Sequence, residues 1–206
     1  MPTVLVPAAR VERWVLNFNG RHGTTGLGVA GGALTGAASD GSTFTARRPF
    51  DEAFDGLPDA AAFAAAAEAP ERWGVLLVRK GGFAAARLEG TALVEHKIGQ
   101  RHVQGRTKAG GQSQQRFARR RDNQARQAFE AAADHAARIL APAGKAVLVT
   151  GGDHAAVDEV LADPRLGRLR VVAPWLAVPD PKRAVLDRAV ADAQAVRIDV
   201  DNADGG

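Results

Sequence analysis

The chain of 206 residues contains no cysteine, which removes disulfides, thiolate metal sites and a cysteine nucleophile together. No apolar run approaches the roughly 18 residues needed to cross a bilayer as a helix, and no basic-then-leucine-rich start suggests an export signal. A cytoplasmic protein is therefore expected. The five histidines, His22, His96, His102, His135 and His154, show no i, i+4 pairing, so no metal is expected, and no other cofactor is called for. A length of this order supports one substantial core with at most a small appendage.

What the chain does have is a concentration of positive charge. Residues 97–126 hold nine basic side chains (Lys97, Arg101, Arg106, Lys108, Arg116, Arg119, Arg120, Arg121 and Arg126) against Asp122 alone, a net of +8. With the whole chain at +4, the remainder stands at −4. Charge segregated in this way fits a polyphosphate partner at one site better than a uniformly solvated surface.

Residues 13–18, Arg-Trp-Val-Leu-Asn-Phe, are apolar and β-prone and predict a strand. A glycine-rich stretch, 20–41, follows. Gly26, Gly28 and Gly31 spell a dinucleotide loop, but no helical period follows to receive a pyrophosphate, so turns between short strands are expected instead. An alanine-rich run at 58–69, bounded by Pro58 and Pro70, predicts a short helix. Strands are predicted at 73–78, 83–88 and 91–98 with tight turns between them, then a helix at 113–140, a strand at 146–150, a helix at 153–161, a strand at 168–172 and a helix at 181–196. The expected fold class is α+β: an RNase-H-like mixed sheet, three antiparallel strands then αβαβα, with a small β-rich N-terminal appendage. The expected division is 1–70 for the appendage and its connector helix, 71–199 for the main domain, and 200–206 for a disordered tail.

Between the third strand and the long helix lies an unusually long loop, residues 99–111, which carries four glycines and ends in Gly110-Gly111-Gln112-Ser113. Such a length inside a compact domain points to function or disorder. Paired glycines permit backbone conformations and close approach that a Cβ forbids. Arg116, Arg119, Arg120, Arg121 and Arg126 crowd the first half of the predicted helix, where its dipole disfavours cations, so an external phosphate backbone supplies the compensating charge.

The run Gly110-Gly111-Gln112-Ser113-Gln114-Gln115-Arg116-Phe117-Ala118-Arg119-Arg120-Arg121 resembles the catalytic middle domain of the eukaryotic and archaeal class-1 release factors. Taking in the strand–turn–strand upstream and Gly151-Gly152-Asp153 downstream, the resemblance covers roughly residues 71–199. Lys108-Ala109 replaces the Gly-Arg usual there, and the flanking residues resemble neither a codon-reading nor a partner-binding domain. The better likeness is to the Vms-like release factors, especially the actinobacterial peptidyl-tRNA hydrolases. That resemblance implies codon-independent hydrolysis of peptidyl-tRNA on stalled or split ribosomes, with Gly110, Gly111 and Gln112 catalytic. The implied partners are the large subunit's RNA and peptidyl-tRNA, without membrane or DNA, and the chain is expected to be monomeric. Arg101, Arg106, Lys108, Arg116, Arg119, Arg120, Arg121 and Arg126 are the expected RNA contacts. Two other readings stay open: a nuclease cutting the tRNA acceptor end, and a non-catalytic RNA-binding module.

Overall fold

The computed structural model describes residues 2–100, 127 and 129–203. It is a mixed α+β structure with two five-stranded sheets, and the chain divides into two compact units, one of residues 1–69 with 190–206 and one of residues 70–189.

The first unit is built on an antiparallel sheet in the order β1-β10-β4-β3-β2. Its strands are β1 (Thr3–Val6), β2 (Thr25–Ala30), β3 (Ala33–Ala38), β4 (Thr43–Arg47) and β10 (Val196–Asp201). Residues 13–18, expected as a strand, lie instead within helix α1 (Val11–His22). The reason is visible once the neighbours are included: Val11, Val15 and Phe18 recur at helical spacing and are the buried positions. Trp14 stacks on Phe18 at 5.5 Å, and both rings meet Phe44 edge-on at 5.1 Å. Tertiary burial of that aromatic stripe overrides the local β propensity. Gly36 on β3 makes the cluster possible, because a Cβ there would overlap the Phe44 ring.

The glycine-rich stretch folds as a hairpin. Gly31 and Gly32, both at positive φ, form the two-residue connection between β2 and β3, the conformation that a tight hairpin requires. Helix α2 (Ala60–Ala66) is shorter than the run 58–69 and is capped by Asp59, whose carboxylate accepts from the Ala62 N–H at 2.9 Å.

The N-terminal unit is not closed by N-terminal residues alone. β10 inserts between β1 and β4, pairing Val4 and Ala46 with Ile198 on its two edges. Val200 and Asp201 therefore belong to this sheet rather than to the expected tail, and the last helix, α5 (Arg183–Ala193), stops short of Val196, which begins the strand.

The second unit has the order β7-β6-β5-β8-β9. β5 (Arg72–Arg79), β6 (Gly82–Glu89) and β7 (Ala92–Gln100) form the antiparallel meander, while β8 (Val147–Gly152) and β9 (Arg170–Leu176) run parallel to β5. Trp73 to Val78 is buried throughout, as a central strand covered on both faces must be. Helical residues 129–140, α3, bury Ala132, Ala133, Ala136, Ala137, Ile139 and Leu140 at i, i+3/i+4 spacing. Small residues let this helix lie close to the sheet. A Cβ on Gly74 of β5 would come within 2.6 Å of Leu140. Helix α4 (His154–Leu161) adds Ala156, Val157 and Val160 to the same core.

Candidate functional site

Every residue singled out as catalytic, Gly110, Gly111 and Gln112, and every expected RNA contact, Arg101, Arg106, Lys108, Arg116, Arg119, Arg120, Arg121 and Arg126, lies outside the described residues. What the structure does define is the frame that bounds this segment. It is entered from the end of β7 at Gln100 and left into α3.

The β7 end of the frame depends on two glycines. On β6, Gly82 adopts a φ of 155°, and a Cβ there would strike the Gly99 carbonyl across the ladder. On β7, a Cβ at Gly99 would overlap Phe83 Cε1. Phe83, only 8% exposed, in turn stacks against the His135 ring of α3 at 5.6 Å and 22°. Glycine at 99 thus admits the ring that ties β6 to α3, one residue before the segment begins. A cavity of about 180 Å³ opens beside it, lined by Val78, Phe83, Gly99, Gln100, Phe129 and Ala132 among others, so described residues from both sides of the segment face one space.

The neighbouring strand ends are equally tight. A Cβ on Gly151 would overlap the Leu176 carbonyl, and one on Gly152, at φ 106°, would overlap that of Val78. Close backbone approach is what these glycines permit. The Asp153 N–H donates to the Val78 carbonyl at 2.8 Å, and exposed His154, first residue of α4, lies flat on Trp175 at 3.6 Å and 11°. The sequence offered no means of pairing His154 with Trp175, since their contact depends on β8 and β9 being parallel neighbours.

A second cavity, about 400 Å³, lies beside α3 and is lined by Phe129, Glu130, Asp134, Glu159, Asp163 and Arg165 among others. Arg165 bridges Asp134 at 2.6 Å and Asp163 at 2.5 Å. The Arg165 guanidinium, followed by its backbone N–H, holds the Asp163 carboxyl down to about 2, and the two carboxylates raise Arg165 above its already high value. Both acids are thereby paired with one guanidinium. Among the described residues no three His, Asp or Glu side chains converge as a metal site. Nor, among those residues, is any helix long and apolar enough to cross a membrane.

Residues 71–199, well over half of the chain, match the Actinobacteria/chloroflexi VLRF1 release factor family. The chain belongs to that family. The likeness first drawn from the Gly110–Arg121 run therefore holds at the level of the family. No curated protein matches the chain. Among solved structures, that of Archaeoglobus fulgidus Pelota is similar over 92% of this chain at 11% identity, with a TM-score of only 0.24. The family member described here spans 62% of the length of that Pelota chain.

Proposed function

We propose that this protein hydrolyses the ester of peptidyl-tRNA on stalled or split ribosomes, independently of any codon, with Gly110, Gly111 and Gln112 as the catalytic element. The single observation that carries this reading is the release-factor family match over residues 71–199, which encloses that motif. The five-strand order of the second sheet, third-second-first-fourth-fifth in chain order with the second strand antiparallel to its neighbours, supports an RNase-H-like reading of the catalytic domain. Residues 1–70 serve to dock the protein in place of a codon reader. The partners are large-subunit RNA and peptidyl-tRNA, and the chain works as a monomer without a cofactor.

Glutamine cannot act as a general base near neutral pH. The chemistry therefore rests on positioning: the Gln112 backbone N–H faces the oxygen on which charge develops, its side chain admits water, and Gly110 and Gly111 let the loop enter a confined site. Arg101, Arg106, Lys108, Arg116, Arg119, Arg120, Arg121 and Arg126 hold RNA phosphates and contribute to binding rather than to turnover. A metal-dependent nuclease of RNase-H type needs carboxylates on the central strand, whereas Trp73 to Val78 of β5 is uncharged.

The test is single-turnover release of peptide from large subunits carrying peptidyl-tRNA, with binding followed by co-sedimentation. Gly111→Ala displaces the Gln112 N–H and should slow release about a hundredfold, the cost of one oxyanion donor. Gln112→Ala keeps that N–H and loses less. Both should bind as wild type. Wild-type release by both variants sinks the proposal, and a shortened tRNA with nucleotides left on the peptide replaces it with the nuclease.

A further inference from the structure

We propose that the outward face of α1 is a docking surface for the phosphate backbone of structured RNA, with Arg10, Arg13 and Arg21 as its contacts. α1 turns Val11, Val15 and Phe18 inward. Arg13, Asn17, Gly20 and Arg21, with Arg10 at the N-cap, recur at i, i+3 and i+4 along a neighbouring side and are all exposed, with exposed Glu12 and Leu16 at the strip's far edge. From Arg13 to Arg21 the strip runs about 12 Å along the axis. Among the described residues none of the three arginines forms an ion pair or a side-chain hydrogen bond. Arg47, Arg87, Arg138, Arg165 and Arg183, by contrast, each hold a carboxylate.

Arg10 and Arg13 occupy the N-cap and first turn of α1, where the positive end of the helix dipole repels cations and only Glu12 offsets them, and Arg10 makes no side-chain capping bond; Arg21, in the last turn, sits where the dipole favours a cation. Gly20 lies in the last turn of the helix, where alanine would still be the better helix former, and a Cβ there would meet nothing within 4 Å. No packing requirement explains it. A bare backbone position amid the arginines leaves room for another backbone to come close. The guanidinium fork suits a phosphate, and Asn17 adds a neutral donor. The proposal relies on the ribosomal reading only for the identity of the RNA, not for the binding itself.

The experiment uses the full chain and an A-form RNA hairpin of arbitrary sequence, with affinity measured by anisotropy over a salt series. Each arginine that holds a phosphate contributes about one to the slope of log affinity against log salt. The variant Arg10→Gln/Arg13→Gln/Arg21→Gln should therefore flatten the slope by about two to three and weaken binding at least about tenfold near 0.1 M salt. Glutamine is a good helix former, and unchanged circular dichroism should show the fold intact. Each single variant, expected to lose about one unit of slope, gives a second measure. Gly20→Leu fills the bare position and should weaken hairpin binding while preserving helicity. An unchanged slope in the triple variant overturns the proposal, an acidic protein surface then being the better occupant of this face. Gly111→Ala should bind the hairpin with the wild-type slope, so failure of the hydrolase reading appears in peptide release and failure of this one in the slope.

Discussion

Gly99→Ala tests whether the frame beside the proposed catalytic segment is set by close packing. A Cβ at this position would overlap Phe83 Cε1, with Cδ1 and Cζ both at 2.8 Å, so the ring must move. It has little room to do so, being 8% exposed, stacked on His135 and part of the core beneath α3. Overpacking at such a site costs about 1–3 kcal/mol. For a chain of this size that corresponds to a fall in Tm of roughly 2–4 °C per kcal/mol. The cause can be isolated by a double-mutant cycle. Phe83→Ala alone should cost about 3–5 kcal/mol through the cavity it leaves, but it also removes every atom that the new methyl would strike. Adding Gly99→Ala to that background should then cost almost nothing, giving a coupling of about 1–3 kcal/mol by urea denaturation. Additive losses would refute the steric argument and leave Gly99 needed for its backbone freedom alone.

Asp163 has its carboxyl lowered to about 2 in the folded chain against 3.8 for the free group, so its contribution to stability is present above pH 4 and is lost as pH falls towards 2; Asp163→Asn should flatten acid unfolding across that window, and an identical acid limb in wild type and variant would remove the ion pair from the account. Deleting residues 1–70 alone removes β1 and β4, both neighbours of β10, and leaves Val196 and Ile198 without a sheet, so that chain should aggregate or show a lower unfolding midpoint than one cut to residues 70–189; equal solubility and midpoint for the two would mean that β10 contributes nothing by its pairing.

Much of the second unit was legible in the sequence because its signals are local. An uninterrupted apolar run marks β5, glycine pairs mark the hairpin, and alanines at helical spacing mark α3, each over a span shorter than the element it predicts. The proposed catalytic motif is likewise a property of consecutive residues, and the family it indicated is the one to which the chain belongs. The first unit resisted the same treatment. In residues 13–18 the β-prone run masked a helical stripe that emerges only when Val11 and the ring of Phe44, far along the chain, are counted together. β10 was missed because a strand's partners are not written beside it: Val196 and Ile198 become core residues only where β1 and β4 flank them. Pairing across nearly two hundred residues is a matter of which surfaces exclude water together, and no local pattern records it. The sequence by itself therefore determined the family, the candidate chemistry and the elements whose apolar period is self-contained. Tertiary structure decided where β10 belongs, why Gly99 must lack a Cβ, and that Arg10, Arg13 and Arg21 share one exposed side of a helix, since each depends on distances between residues that the chain brings together only by folding.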